Sequence, residues 1–100
     1  NLPKESQENK INVIDNFKTL AEISFGDMNK EMGKTAYQSI KTSVQDLNEK
    51  KIDVLVTAPI NKEAIHSDSF KFMGHTDYID TQIDGSAMMM MVSDELKVAL

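Results

Sequence analysis

The chain has 100 residues, 40% of them hydrophobic, with four Phe, two Tyr, no Trp and no Cys. The lack of cysteine excludes disulfide scaffolds, thiolate zinc sites and cysteine nucleophiles within these residues, and a formal charge of −5 without a basic stripe excludes an electrostatic footprint for nucleic acid. No run approaches the ~18 apolar residues of a membrane span, and the start, Asn1-Leu2-Pro3-Lys4-Glu5, lacks the apolar segment of a signal peptide; a cytoplasmic chain without a nucleic-acid or membrane partner is expected.

Residues 1–10 are polar and read as an exposed end. Ile11-Asn12-Val13-Ile14-Asp15 is a short β-branched run, a strand by composition. The periodicity of Phe17 to Phe25 is mixed and assigns no element. After Gly26-Asp27, apolar residues at Met32, Ala36, Tyr37, Ile40, Val44 and Leu47 keep to one face for about five helical turns. Asp27 or Asn29 can cap its start, and Lys50 and Lys51 sit where the carbonyl end favours cations. Lys34, Gln38, Lys41 and Gln45 form the solvated face.

Asp53-Val54-Leu55-Val56-Thr57-Ala58 is nearly continuous apolar sequence, the pattern of a strand covered on both faces, and Pro59 stops it. Asn61 to Ile65 can start a short helix, a turn is expected around Ser67-Asp68-Ser69, and Asp77 to Ile83 suits another short helix. Gly85-Ser86 is a break. Ala87 to Val92 predicts an apolar strand whose alternate Met side chains fill both buried faces, Ser93-Asp94 a turn, and Lys97 to Leu100 a further strand. Strands alternating with helices predict an α/β layered architecture. Because the pattern stops inside an apolar strand with no linker composition, residues 1–100 are expected to be one partial α/β domain of a longer protein.

In open α/β sheets, ligands bind beyond the carboxyl ends of strands, which singles out two loops. In Thr57 to Lys62, a hydroxyl and a cation near a helix start suit an anionic ligand; the plainer alternative has Thr57 satisfying a backbone group and Lys62 solvated. In Phe72-Met73-Gly74-His75-Thr76-Asp77, glycine permits a sharp turn or close approach, His75 can donate, accept or titrate, and Thr76 adds a hydroxyl. The alternative makes Thr76 a helix cap and His75 a surface residue. His66 reads as a surface histidine, and His66 with His75 has no metal-ligand spacing. Asp94-Glu95 reads as a turn and helix start rather than a catalytic pair. Neither GxGxxG nor a P-loop is present.

Taken in order, Asp53 to Lys62, Gly74-His75-Thr76-Asp77, Met88-Met89-Met90-Met91-Val92 and Glu95 to Leu100 resemble the PdxA family of vitamin B6 biosynthesis, the 4-hydroxythreonine-4-phosphate dehydrogenases, and Gly33-Lys34-Thr35-Ala36-Tyr37 is similar to the helix before the family's strand. The resemblance spans roughly residues 26–100, with Asp77 where the family usually has Glu. It implies an internal fragment of an isocitrate/isopropylmalate dehydrogenase-like α/β/α fold, in a homodimer. It further implies dependence on NAD or NADP and on a divalent metal (zinc, magnesium or cobalt), and oxidation and decarboxylation of 4-phospho-hydroxy-L-threonine on the route to pyridoxal phosphate. By position, His75 and Thr76 are the implied contacts to this small phosphorylated amino-acid substrate, while Asn61 and Lys62 belong to a family motif without an assigned role. The implied metal ligands and nicotinamide contacts lie beyond Leu100, so the 100-residue chain alone is expected to be inactive. Two other readings stay open: a dehydrogenase of the same fold acting on another phosphorylated or carboxylated hydroxy acid, and a non-catalytic dimerisation module.

Overall fold

Asn29 sets where the first helix begins. In the computed structural model, which describes residues 6–19, 22–67 and 69–100, its side-chain Oδ1 accepts from the backbone N–H groups of Glu31 (2.9 Å) and Met32 (3.3 Å). Helix α1 then runs Lys30–Asn48. Such a cap is worth about 1 kcal/mol because two of the helix's orphan donors are satisfied. The expected apolar face is the buried one: Ile40 and Val44 lie in the core with Ala36 and Tyr37 packed against it, while Met32 stays exposed near the start. The helix ends in a Schellman turn. Lys50, at φ 56°, donates to the Leu47 carbonyl (3.0 Å), and Lys51 donates to that of Asp46 (2.9 Å). The Lys51 ammonium pairs with Asp46 (3.5 Å) and Glu49; the contact holds the Glu49 carboxyl below its ordinary 4.5 and the Lys51 ammonium above 10.5.

Helix α2 is Lys62–Ile65, capped by Asn61, whose Oδ1 accepts from Ala64 N–H at 2.9 Å. This is the role of Asn61 that its motif alone leaves unassigned. Ser67 and Phe70 exchange backbone hydrogen bonds across the expected turn (3.0 and 3.1 Å); Asp68 lies outside the described residues. The reversal drives Phe70 to 0% exposure among Ile40, Val44, Ile65 and Tyr78. Its ring stands 5.2–5.4 Å from those of Tyr37, Phe72 and Tyr78, the tilted and edge-on spacing favoured by aromatic quadrupoles. Helix α3, His75–Gln82, begins two residues before the expected Asp77. Asn48 at the end of α1 donates to the Gln82 carbonyl (2.8 Å), and Asp80 accepts from Ala87 N–H, so α3 is tied on both sides.

Strands β1 (Met90–Val92) and β2 (Lys97–Ala99) form an antiparallel hairpin with Met90 opposite Ala99 and Val92 opposite Lys97. Ser93 closes the turn through its N–H to the Leu96 carbonyl (2.8 Å). The hairpin falls within the two expected strands but is shorter, Met90–Val92 of Ala87 to Val92 and Lys97–Ala99 of Lys97 to Leu100, and it is not buried: Met88 to Met91 are all exposed. The methionine run is therefore not the buried filling expected of it.

Two expected strands are absent. Residues 53–58 pair with no other described segment; Val54 is 73% and Val56 89% exposed, and Leu55 alone of the run packs on the core. A strand needs a partner for its N–H and C=O groups, and none of the described segments supplies one here. Residues 11–15 are likewise unpaired. Asn12 instead binds its own neighbourhood, accepting from Gln7 N–H and donating to the Gln7 and Lys10 carbonyls, all at 3.0 Å. That local closure competes with a ladder. Parts of two other readings, the exposed end at residues 1–5 and Leu20-Ala21 in the unassigned stretch, lie outside the described residues. The described residues thus combine helices with a small antiparallel sheet, compatible with an α/β class; they form no parallel sheet and no complete α/β/α layering. None of their helices is long and apolar enough to cross a membrane.

Candidate functional site

The two loops singled out by the sequence meet. A cleft of about 340 Å³ has Ile60 and Lys62 on one side and Met73 to Asp77 on the other, with Met89 at its edge. Its floor is the start of α3. Gly74 is the N-cap in an extended conformation (φ 168°, ψ −165°) and contributes no capping side chain. The first helical bond runs from Tyr78 N–H to the Gly74 carbonyl at 3.2 Å. Thr76 is therefore the second residue of the helix and not its cap, contrary to the plainer reading. Asp77 instead braces the residue before the cap, its Oδ2 accepting from Met73 N–H at 3.0 Å. Neither backbone angle nor space demands glycine at position 74: a Cβ there would meet only the Lys62 Cε, at 3.7 Å.

His75 is half-buried and Thr76 exposed. His75 also borders a second cleft of about 260 Å³, between the Ala36–Ser43 face of α1 and residues 55–60. Its imidazole thus stands on the ridge between two openings. Thr57 belongs to the second cleft and Lys62 to the first, so the hydroxyl–cation pair expected within the first loop is split. Lys62 joins His75 and Thr76 instead. Such a constellation offers one cation, one imidazole and one hydroxyl to a polar, anionic molecule.

His66 is exposed at the end of α2, borders neither of these clefts, and donates its backbone N–H to the Lys62 carbonyl at 3.2 Å. Asp94 and Glu95 form the exposed bend between β1 and β2. Among the described residues no three His, Asp or Glu side chains gather as a metal site. Ile60 belongs to the first of the two loops; Met89, twelve residues past Asp77, joins the cleft without a signal in the sequence.

These features describe a mixed α and β chain with a cleft of small-molecule size. The chain belongs to the family of the pyridoxal phosphate biosynthetic protein PdxA, whose family model matches residues 1–100. It is 32% identical over 102 residues to a 4-hydroxythreonine-4-phosphate dehydrogenase of Bacteroides thetaiotaomicron, an alignment covering 100% of this chain and 28% of the relative. It is 38% identical over 81 residues to the protein of that name in Sulfurihydrogenibium sp., covering 79% of the chain and 25% of the relative. A D-threonate 4-phosphate dehydrogenase of Cupriavidus necator is 36% identical over 78 residues, 76% of the chain and 23% of the relative. The chain thus spans about a quarter of the length of these relatives. No solved structure matches it significantly.

Proposed function

We propose that this chain forms part of an NAD(P)- and divalent-metal-dependent dehydrogenase that oxidises and decarboxylates 4-phospho-hydroxy-L-threonine in the cytoplasm, toward pyridoxal phosphate. Family membership and the dehydrogenase names of the relatives support the reading. The structural observation that carries the site is the convergence of His75 and Thr76 with Lys62 on one cleft. In this reading His75 and Thr76 hold the polar groups of the substrate: the imidazole can accept from or donate to a hydroxyl, and the Thr76 hydroxyl can do either. Among the described residues no three His, Asp or Glu side chains gather to hold a metal; in this reading metal and nicotinamide are held by other parts of the protein, and the chain alone is inactive. The full-length protein should reduce NAD or NADP with 4-phospho-hydroxy-L-threonine. His75→Ala should lower kcat/KM by about two orders of magnitude or more, a loss of ~3 kcal/mol of transition-state stabilisation. Near-normal turnover by that variant refutes the role of His75.

A second substrate is suggested by one observation: relatives named D-threonate 4-phosphate dehydrogenase match this chain at similar identity, 38% and 36%, to those named for 4-hydroxythreonine 4-phosphate, over somewhat less of its length. Both names describe a four-carbon hydroxy acid phosphorylated at C4; they differ at C2, amino against hydroxyl. The ratio of kcat/KM for the two compounds decides between them. The exposed β1–β2 hairpin supports association into a homodimer, since an uncovered apolar edge favours pairing. A full-length protein that dimerises but oxidises neither compound would instead be the non-catalytic dimerisation module.

A further inference from the structure

We propose that Lys62 is a substrate-binding residue, its ammonium taking an oxyanion, phosphate or carboxylate, of the same molecule that His75 and Thr76 hold. The inference rests on the reading of that cleft as the substrate site. The Lys62 stem lies across Gly74, with Cε 3.7 Å from where a Cβ of residue 74 would stand. This carries the cationic end of the side chain to the cleft wall formed with His75 and Thr76. Among the described residues Lys62 makes no ion pair. The acid of the cleft, Asp77, turns one carboxylate oxygen back to the Met73 N–H and is not paired with Lys62. Lys62 therefore brings an exposed positive charge to the cleft, with no described carboxylate within ion-pair distance.

Its backbone is also held in place. Asn61 caps the turn it begins, Ile65 at the other end of that turn is buried, and Ala64 lies against Gly33 of α1. A side chain rooted in fixed backbone loses less freedom on binding than one on a loose loop. Lysine presents a compact point charge to an oxyanion, without the planar fork of arginine.

The test uses the full-length protein and the variants Lys62→Gln, which keeps most of the stem without the charge, and Lys62→Arg. Calorimetric titration measures binding of inorganic phosphate, 4-phospho-hydroxy-L-threonine and 4-hydroxy-L-threonine. Lys62→Gln should weaken the phosphorylated ligand about tenfold or more, raise KM accordingly and change kcat less than about threefold; Lys62→Arg should recover most of the loss. An equal loss for 4-hydroxy-L-threonine assigns the carboxylate, and a loss confined to the phosphorylated ligand and inorganic phosphate assigns the phosphate. Unchanged affinity and KM in folded Lys62→Gln overturns the proposal while leaving the dehydrogenase reading intact. Phosphate binding that depends on Lys62, in a protein that reduces no nicotinamide with either C4-phosphorylated compound, upholds Lys62 and overturns the dehydrogenase.

Discussion

Gly33 of α1 lies against the backbone of Ala64 in α2, so close that a Cβ on residue 33 would fall far inside contact with the Ala64 carbonyl and 2.8 Å from the Ile65 nitrogen. Every atom met is backbone and cannot swing aside. Glycine in a helix interior is worse than alanine by about 1 kcal/mol, so in isolation Gly33→Ala would favour α1. The overlap should reverse that sign, giving a net loss of about 1–3 kcal/mol. A urea midpoint that falls at unchanged slope confirms it; a midpoint that stays or rises would show that α2 yields freely. Because α2 carries Lys62, the same variant should also weaken phosphate binding.

At the other end of α1, Lys50 holds a left-handed conformation that a Cβ disfavours, and the Schellman turn requires it. Lys50→Gly should therefore stabilise the protein by about 0.5–1 kcal/mol, the relieved strain partly offset by the greater freedom of glycine when unfolded. Lys50→Val should destabilise it. Thermal midpoints of the two variants, moving in opposite directions from the parent, check the argument. If both fall, the side chain of Lys50 contributes more than its conformation costs.

Phe70 joins α1, α2 and α3 through one fully buried ring. Phe70→Ala should cost about 3–5 kcal/mol and Phe70→Leu distinctly less, since leucine leaves a smaller void. Chemical denaturation of both variants tests the order. Equal and small losses would mean that the cluster of Tyr37, Phe72 and Tyr78 closes over the gap.

What sequence reading reached here was what depends on near neighbours. The apolar period of α1 acts within four residues and is readable as such, as is a cap at Asp27 or Asn29, of which the structure uses Asn29; the cap at Asn61, equally local, is not assigned from the sequence. Val54 and Val56 are not readable in this way: their β-branched run specifies extended backbone, but pairing depends on a segment elsewhere. The exposed Met88 to Met91 carry the same lesson, because composition states what a face can bury and not whether anything covers it. Phe70 stood in a stretch without period; it is central only because Ser67 and Phe70 close a turn that folds the chain back onto α1. At the site, the glycine–histidine loop stood out from residue chemistry alone. That Lys62 shares a cleft with Gly74, His75 and Thr76, while Thr57 shares one with His75 alone of the three, is a long-range relation that sequence spacing does not contain.

Tyr78 links this core to pH. Burial pushes its phenol above the ordinary 10.0, and the neighbouring Tyr37, by charge and hydrogen bond, pushes the same way. The folded protein thus holds the Tyr78 proton more tightly than the unfolded chain does. The stability contributed is fully present below about pH 10 and is lost as pH rises through the folded value, because the unfolded state then ionises first. Alkaline unfolding should accordingly set in above pH 10, and Tyr78→Phe, which cannot ionise, should flatten the fall. With two tyrosines and no tryptophan in the chain, tyrosinate absorbance can be followed without tryptophan overlap, and the difference between the parent and Tyr78→Phe gives the Tyr78 transition. A Tyr78 that titrates at or below 10 in the folded protein would show that the ring reaches water, and would remove the basis for the alkaline instability.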